Sequence, residues 1–369
     1  MKKPVILMIA PFPPPVHGSA VVSQQIKDSV LINSEFDVDY INLSTSRSIN
    51  EIGNTGILIF LRKSFRFAGI CFRTFFHLLS RRYDLCYIAL TCHGKGFLKD
   101  APIALLCKLF GRQLVIHQHN KGMSQDIDKP IYRKLIPLVY RNAKVILLSL
   151  KLYPDIQRVV KKEDVMVCPN GIKLDQSRAG HKTCNEVPHI LFLSNLLADK
   201  GVLVLLDALK LLKERGLAFR GTFVGGESKE INAARFEREL FHRGLGDYVK
   251  YLGRKFGVEK SAVFSASDIF VFPTNNDTFG LVNLEAMQYS LPVISTREGG
   301  IPDIVVDGET GILVEKNDPE ALADAIARLL EDPELARQMG AAGRKRLEEN
   351  FTERQFEKRF TDILHTLLS

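Results

Sequence analysis

The sequence lacks any long uninterrupted apolar run. The amino-terminal stretch "MKKPVILMIAPFPPP" contains an apolar run of only about six residues and no small-residue cleavage site, so it predicts a first strand and not a signal peptide. No other segment approaches the roughly 20 apolar residues that a membrane-spanning helix requires. We therefore expect a protein that is soluble or only peripherally bound to a membrane.

Cysteines are few, and none forms a CxxC pair. The chain has six cysteines in 369 residues, and disulfide frameworks belong mainly to much smaller secreted domains. Low-complexity tracts and fixed-period repeats are also missing, while 46% hydrophobic and 25% charged residues are typical of a folded protein. These features favour a folded protein in a reducing cytoplasm.

Acidic residues are scarce in the first half of the chain. Residues 1–178 contain 26 Lys and Arg against 13 Asp and Glu, whereas the remainder contains 24 against 29. This asymmetry predicts an anionic partner for the first half, either a membrane surface or a phosphorylated ligand. The basic residues are not interleaved with a nucleic-acid-binding motif, so we expect no nucleic-acid partner.

The length and the order of local patterns predict two α/β domains. Strand-like runs such as "VILMIAP", "FDVDYINLS" and "QLVIHQH" alternate with helical patterns, and a second such series begins at "HILFLSN". This alternation predicts parallel sheets covered on both faces. The polar residues 173–188 read as a linker. We predict domains at residues 1–178 and 179–350, followed by a helix at 351–369 that packs back on the first domain.

The segment "DTFGLVNLEAM" combines two carboxylates with a turn that precedes a helix. A helix that begins near Phe279 and Gly280 would direct its free N–H groups and the positive end of its dipole at phosphate oxygens. Asp277 would lie in the loop and Glu285 on the second helical turn. Because carboxylates accept hydrogen bonds from paired sugar hydroxyls, the two acids could hold different parts of one elongated ligand.

This segment resembles a known family signature. Together with "PVIST" and "GGIPDIVVDGETGILV" downstream, it resembles the acid-x7-acid motif of retaining GT-B glycosyltransferases of family 4, the glycosyltransferase group 1 type. The strings "LSNLLADKG", "FVGG", "YLGR" and "FPT" precede it in the family's order and spacing. The resemblance implies a GT-B fold, in which two Rossmann-like doubly wound domains face a central cleft. The first domain would bind the acceptor and the second the nucleotide sugar.

The resemblance also implies the residues of a donor site. Lys200 would reach the diphosphate and neutralise charge on the leaving nucleotide. Asp277 would hold the transferred sugar, and Glu285 would hold the ribose hydroxyls. The other implied donor-binding residues are Gly18, Asn195, Glu227, Arg254, Phe279, Gly280 and Leu281, the last three through backbone N–H groups.

Histidines mark the implied acceptor side. His119 ends a strand in "LVIHQHNKG", and the resemblance implies that it contacts the transferred sugar or positions the acceptor. His17 and His93 are further acceptor-side candidates. These histidines form no carboxylate–histidine set with the spacing of metal ligands. The DxD strings at Asp37–Asp39 and Asp126–Asp128 resemble metal-binding pairs, but both lie away from the donor motifs. We therefore predict no metal, and no cofactor apart from the nucleoside diphosphate sugar that serves as donor substrate.

The stretch "LRKSFRFAGICFRTFFHLLSRR" has helical periodicity with two distinct arcs. Arg62, Arg66 and Arg73 share one arc, while leucines and phenylalanines occupy another. A basic stripe beside an aromatic face suits a membrane interface. The competing interpretation, which we favour for the aromatic residues, is that the apolar arc packs on the first sheet. The three arginines remain candidates for contact with lipid headgroups or with a pyrophosphate-linked acceptor.

The resemblance implies a retaining, metal-independent hexosyltransferase. It would move a hexose-type sugar from a nucleoside diphosphate sugar to a hydroxyl of a saccharide or lipid-linked saccharide, in cell-surface polysaccharide or glycolipid assembly, in the cytoplasm or at the inner face of the membrane. Asn195, where the family commonly has arginine, and Asp277, where it often has glutamate, leave an alternative open. That alternative is a catalytically inert GT-B homologue that binds glycans or supports a partner enzyme.

Overall fold

The computed structural model describes residues 2–15, 18–46, 56–175 and 185–369. The chain divides into two compact units, Met1–Asn170 with Glu353–Ser369, and Gly171–Thr352. In the described residues, each unit contains a six-stranded parallel sheet covered by helices. The predicted α/β class with two Rossmann-like doubly wound domains is confirmed. Part of the predicted linker, residues 176–184, lies outside the described residues, as does His17.

The sheet of the first unit has the strand order β2-β1-β3-β4-β5-β6. Every residue of the first strand is buried, as expected for a parallel strand that is covered on both faces and therefore reads as a continuous apolar run. The strands are β1 (Val5–Ala10), β2 (Asp37–Asn42), β3 (Leu85–Ile88), β4 (Gln113–Gln118), β5 (Lys144–Leu147) and β6 (Val165–Val167).

The helices of the first unit include the last helix of the chain. They are α1 (Gly18–Asp28), α2 (Val30–Glu35), α3 (Ile57–Ser80), α4 (Gly94–Leu109), α5 (Met123–Asp126), α6 (Pro130–Tyr140) and α14 (Glu353–Leu368), with 3-10 turns at Leu150–Asp155 and Lys162–Asp164. Phe356, Phe360 and Leu364 of α14 lie in the same buried cluster as residues of β1 and β3. The rings of Phe360 and Tyr87 are 5.5 Å apart. The carboxyl-terminal helix thus belongs to the core of the first unit.

The second unit repeats the α/β pattern with the strand order β12-β11-β10-β7-β8-β9. Its strands are β7 (His189–Leu193), β8 (Arg220–Val224), β9 (Val249–Tyr251), β10 (Ile269–Phe272), β11 (Val293–Thr296) and β12 (Gly311–Val314). Its helices are α7 (Val202–Glu214), α8 (Ala233–Arg243), α9 (Gly257–Ala266), α10 (Leu281–Met287), α11 (Ile301–Ile304), α12 (Pro319–Glu331) and α13 (Pro333–Asn350), with a 3-10 turn at Ala198–Lys200.

In each sheet the chain reverses its winding direction at one point. Strand β1 pairs with both β2 and β3, and β7 pairs with both β8 and β10. Loops that leave the carboxyl ends of such strands diverge, and the crevice that they form is where doubly wound sheets bind ligands. The loops after β1 and β3, and those after β7 and β10, are therefore the places to look for sites.

Helix α3 differs from the prediction. Its buried residues are Ile70, Thr74 and Leu78, which lie four residues apart and form a narrow stripe. The phenylalanines of the predicted core arc are exposed instead, with Phe65 at 84% and Phe72 at 63%. The interpretation that this arc packs on the sheet is wrong, because the helix has a second face that does so. Within the described residues no helix, α3 included, combines the length and hydropathy needed to cross a bilayer.

Candidate functional site

Two loops meet at the switch point of the second unit. The loop after β7 leads through the 3-10 turn to Lys200, and the loop after β10 leads to Gly280. The backbone N–H of Asn275 and the hydroxyl of Thr274 both donate to the carbonyl oxygen of Asp199, at 2.7 Å and 3.1 Å. These bonds hold the two loops side by side, so side chains from both can act on one ligand.

A glycine permits this close approach. Gly201 has φ +79°, and a Cβ atom there would lie 2.1 Å from the carbonyl oxygen of Pro273. A side chain would therefore be opposed both by backbone strain and by a steric clash with rigid backbone. The position of Lys200 depends on the residue that follows it.

Replacing Gly201 by alanine is expected to destabilise the second unit by more than about 3 kcal/mol, because strain and clash add. The matched control is Gly216→Ala, since Gly216 has a similar φ of +76° but open space around a built Cβ. The control should cost only about 1 to 2 kcal/mol of backbone strain. Calorimetry should show a clearly lower unfolding temperature for Gly201→Ala than for the control; equal values would refute the steric argument.

Lys200 and Asp277 form the centre of the site. The Lys200 Nζ atom is 2.7 Å from Asp277 Oδ2 and donates to the Asn276 carbonyl oxygen at 2.7 Å. The other Asp277 oxygen, Oδ1, accepts from the backbone N–H groups of Phe279 and Gly280 at 3.0 Å and 2.7 Å. The two charged side chains remain about a fifth exposed, at 21% and 22%. The pair is therefore held firmly by the loop and is still accessible.

This arrangement modifies the predicted role of the backbone amides. The helix that follows, α10, begins at Leu281, next to the start that the sequence predicts near Phe279 and Gly280. In this structure, however, the N–H groups of Phe279 and Gly280 point at the Asp277 carboxylate, not at an open phosphate position. A phosphate could use these two donors only after the Asp277 side chain had turned away from them.

Glu285 lies on α10 and is paired with a residue that sequence reasoning missed. Both of its carboxylate oxygens are 2.7 Å from Nζ of Lys260, which lies on α9. A carboxylate has about four lone-pair positions, so each oxygen can accept another hydrogen bond beside the lysine. Glu285 can therefore bind a pair of hydroxyl groups without losing Lys260.

If Glu285 holds ribose hydroxyls, as the sequence resemblance implies, replacing it by alanine should weaken binding of a nucleoside diphosphate about 10- to 150-fold, the range for losing hydrogen bonds to a charged group. Lys260→Ala is the matched variant, because it removes the same ion pair but leaves the carboxylate, and its effect should stay below about threefold. Isothermal titration calorimetry measures both. Equal losses in the two variants would mean that the ion pair, and not the carboxylate, supports the site.

Three further predicted donor residues, Asn195, Glu227 and Arg254, lie around the end of β8. The Gly226 N–H donates to Asn195 Oδ1 at 3.1 Å, a bond that arginine could not replace because its side chain has no acceptor. The guanidinium of Arg254 lies against Gly226, where a built Cβ would be 2.1 Å from its Nε. Glu227 accepts from the Ala233 N–H at 3.1 Å, at the start of α8. Asn195 thus fixes the turn at Gly226 that makes room for the Arg254 cation.

The first unit has a cavity of about 310 Å³ at the corresponding end of its own sheet. The residues that follow β1, β2, β3 and β4 contribute to its wall. Polar lining residues are Ser19, Ser44, Thr45, Ser46, Thr91, Lys99, Asp100, His119 and Asn120. Gly18 begins α1 beside this cavity and is exposed, but it does not line the cavity itself. Five of these nine polar residues carry hydroxyl groups, which lie beside apolar lining residues such as Leu43 and Leu90. A mostly apolar wall with a few polar groups is typical of small-ligand sites.

A buried carboxylate in this cavity was not predicted. Asp100 is fully buried, accepts from the Thr91 N–H at 3.0 Å and lies 2.5 Å from Nζ of Lys99. It occupies the same side of α4 as the buried residues Phe97, Ala101 and Ala104. A carboxylate at a core-facing position of an apolar helix is the signal that would have found it.

His119 lines the same cavity and packs on a second histidine. The ring centroids of His117 and His119 are 4.1 Å apart, so the predicted common face of the strand is present. His117 is fully buried, and its Nδ1 is 2.8 Å from the Tyr87 hydroxyl. Burial, with a smaller effect of His119, lowers the pKa of His117 well below its usual value. His117 is therefore neutral near pH 7 and supports the half-buried His119.

The DxD strings serve the structure of the first unit. Asp39 accepts from the Tyr83 hydroxyl and from Arg81, both at 2.7 Å. Asp126 accepts from the Gly94 N–H at 2.5 Å. In the part of the chain that the structure describes, no three His, Cys, Asp or Glu side chains are grouped as metal ligands would be.

Comparison with known families and sequences finds similarity in the second unit. Residues 175–346 match the family model described as glycosyl transferases group 1. Over 188 residues the chain is 31% identical to the capsular polysaccharide biosynthesis glycosyltransferase CapM of Staphylococcus aureus. The aligned residues cover 51% of this chain and 48% of CapM. Over 154 residues it is 38% identical to the D-inositol 3-phosphate glycosyltransferase of Corynebacterium diphtheriae, 41% of this chain and 36% of that protein. The chain thus spans about half the length, or less, of these curated relatives.

Solved structures match over nearly the whole chain. Sucrose-phosphate synthase from Thermosynechococcus elongatus superposes with a TM-score of 0.75 at 22% identity, covering 99% of both chains. HepE of Anabaena, solved in complex with UDP and glucose, superposes with a TM-score of 0.72 at 19% identity, covering 99% of this chain and 100% of HepE. At such identities the likeness establishes a shared fold. The match to the glycosyl transferases group 1 model covers residues 175–346, the part of the chain that contains Lys200, Asp277 and Glu285.

Proposed function

We propose that this protein is a glycosyltransferase that moves a hexose-type sugar from a nucleoside diphosphate sugar to a hydroxyl group of a saccharide acceptor. The observation that carries the proposal is the cluster of Lys200, Asp277 and the two loop amides at the switch point of a glycosyl transferases group 1 domain. A cation beside a ligand crevice can balance the charge that develops on a leaving diphosphate. The nearby Glu285 adds acceptors for sugar hydroxyls.

The relatives indicate which substrates to test first. HepE was solved with UDP and glucose, so UDP-glucose is the first donor to examine. CapM acts in capsular polysaccharide biosynthesis, which supports a role in assembling a cell-surface polysaccharide or glycolipid. The cavity of the first unit, whose lining includes His119, Asp100 and several hydroxyl groups, is the proposed acceptor site.

We propose a retaining and metal-independent reaction. The glycosidic bond to the diphosphate breaks as the acceptor oxygen bonds to the anomeric carbon on the same face, and the departing phosphate takes the acceptor's proton. Lys200 stabilises the phosphate as it leaves, while Asp277 positions both the lysine and the transferred sugar. Catalysis then depends on orientation and electrostatics, with no covalent intermediate on a protein side chain.

The proposed location is the cytoplasm, with contact at the inner face of the membrane through Arg62, Arg66 and Arg73. Support comes from the five cysteines that are unpaired in the described residues and from the positive charge of the first half of the chain.

A ligand screen followed by product analysis tests this function. A ligand that binds the folded protein raises its unfolding temperature, so UDP, GDP, ADP and their sugars should separate into binders and non-binders. The best donor, incubated with and without EDTA, should slowly release nucleoside diphosphate. When a saccharide acceptor is added, NMR of the glycoside formed should show the donor's anomeric configuration. Binding without any release or transfer would favour the inert homologue, and inverted product or loss of activity in EDTA would refute the proposed mechanism.

A further inference from the structure

The outer face of α3 is a continuous apolar surface. Leu58, Leu61, Phe65, Phe72 and Leu79 are each more than half exposed and fall on one side of the helix, opposite the buried stripe. The rings of Phe72 and Phe76 are 4.4 Å apart, so the aromatic residues pack on one another along the surface. Exposed apolar patches of this extent mark a surface that contacts a partner or a membrane.

The apolar surface extends beyond α3. The ring of Phe75 meets that of Phe110 at the end of α4, with centroids 5.6 Å apart. Next to Phe110, Leu109 is 81% exposed. We call this combined surface, from Ile57 to Leu79 on α3 together with Leu109 and Phe110, the α3 face.

The formal charges of the Lys, Arg, Asp and Glu residues on α3 itself have one sign. Helix α3 contains Arg62, Lys63, Arg66 and Arg73 but no aspartate or glutamate. Residues 1–178 as a whole carry twice as many basic as acidic residues. Aromatic and aliphatic side chains flanked by cations match the boundary of an anionic bilayer, in which the rings enter the acyl region and the cations meet phosphates. A water-soluble protein partner would need a complementary apolar and acidic surface.

The α3 face is connected directly to the cavity of the first unit. Arg66 lies on α3, and its Nη1 donates to the carbonyl oxygen of Thr45, a cavity-lining residue, at 2.8 Å. Lys99 and Asp100, which also line the cavity, lie on α4, the helix against which α3 packs. A molecule that is anchored beside α3 could therefore place a headgroup at the cavity without leaving the bilayer.

We propose that the α3 face docks on an anionic lipid bilayer, and that the acceptor is a lipid-anchored saccharide whose sugar enters the cavity of the first unit while its lipid stays in the membrane. This inference deepens the proposed glycosyltransferase function and rests on it for the identity of the acceptor. The docking itself does not depend on catalysis and can be tested apart from it.

Vesicle sedimentation tests the docking. The full-length protein is mixed with vesicles of phosphatidylcholine alone, or with about a third phosphatidylglycerol. We expect strong binding to the anionic vesicles, a loss on the order of tenfold or more in Phe65→Ser/Phe72→Ser, and a loss on the order of thirtyfold in Arg62→Gln/Arg73→Gln. The matched control is Phe241→Ser/Phe256→Ser, which removes two equally exposed phenylalanines from the second unit. Equal binding by all variants would overturn the proposal.

Two further measurements test whether the α3 face binds a bilayer or a second copy of this chain, and whether the acceptor is lipid-anchored or water-soluble. Sedimentation equilibrium without lipid should show a monomer; a dimer that dissociates in Phe65→Ser/Phe72→Ser would mean that the α3 face binds a second copy of this chain instead. Radiolabelled sugar from the best donor should move into the organic phase of a membrane lipid extract, and this should be reduced in Phe65→Ser/Phe72→Ser while donor hydrolysis stays unchanged. Transfer only to water-soluble saccharides would overturn the lipid acceptor. Absence of hydrolysis and transfer alike would count against the glycosyltransferase proposal, and the vesicle result would stand.

Discussion

Replacing Lys200 by alanine is expected to reduce sugar transfer by roughly 10²- to 10³-fold, the size of effect seen when one group that stabilises transition-state charge is removed. The reason is that Lys200 Nζ is fixed by Asp277 and by the Asn276 carbonyl, beside the crevice in which a diphosphate would develop charge. Steady-state kinetics with the best donor and acceptor should show the loss mainly in kcat, because the charge on the leaving group is largest in the transition state.

Two controls accompany this variant. Lys210→Ala removes a lysine of the same unit that pairs with Glu214 on the surface of α7, and it should leave the rate within about twofold. Lys200→Arg keeps the charge but changes its shape, and should recover part of the lost rate. If Lys200→Ala retained the parental rate, the proposed role of this lysine in departure of the diphosphate would have to be given up.

Replacing Asp277 by alanine is expected to lower kcat by roughly 10²-fold while nucleoside diphosphate affinity changes less than about threefold. The carboxylate positions Lys200 and also binds the N–H groups of Phe279 and Gly280, so the variant misplaces the lysine and removes the proposed sugar contact. The freed amides become available to phosphate, which offsets the weaker hold on the lysine. Calorimetry with the nucleoside diphosphate and kinetics with the nucleotide sugar separate the two quantities.

Asp277→Glu is the matched variant that keeps the carboxylate which Asp277→Ala removes. It has the side chain that the sequence resemblance leads us to expect at this position, and it keeps the charge on a longer arm. It should retain transfer far better than Asp277→Ala. Loss of nucleoside diphosphate binding in Asp277→Ala, as severe as the loss expected for Glu285→Ala, would assign Asp277 to the nucleotide and not to the sugar.

The sequence was a good guide to the sheets and to the loops that follow β7 and β10. Buried parallel strands are apolar on both faces, so β1 and β10 stand out as short apolar runs. The turn before α10 was also predictable, because its glycine and its two acids are close together in the chain. Features that are formed by residues close together in the chain can therefore be predicted from sequence patterns.

Contacts between distant residues could not be predicted in the same way. Lys260 and Glu285 are 25 residues apart, and their pairing depends on how α9 and α10 pack. The bond from the Phe279 amide to Asp277 depends on the rotamer of one side chain, which no spacing encodes. On α3 the error had another cause. Apolar residues surround much of that helix, so periodicity could not tell which side faced the sheet.

The position of α14 has a consequence for biosynthesis. The first unit is assembled from both ends of the chain, because Phe356, Phe360 and Leu364 complete a cluster that begins with Ile6 and Met8. While the ribosome is still translating the second unit, the amino-terminal sheet lacks these side chains, and Tyr87 lacks its ring partner Phe360. This apolar surface of the nascent chain must therefore avoid non-native contacts until α14 has been translated. The first unit is translated first, but its core is completed only after the second unit has been translated.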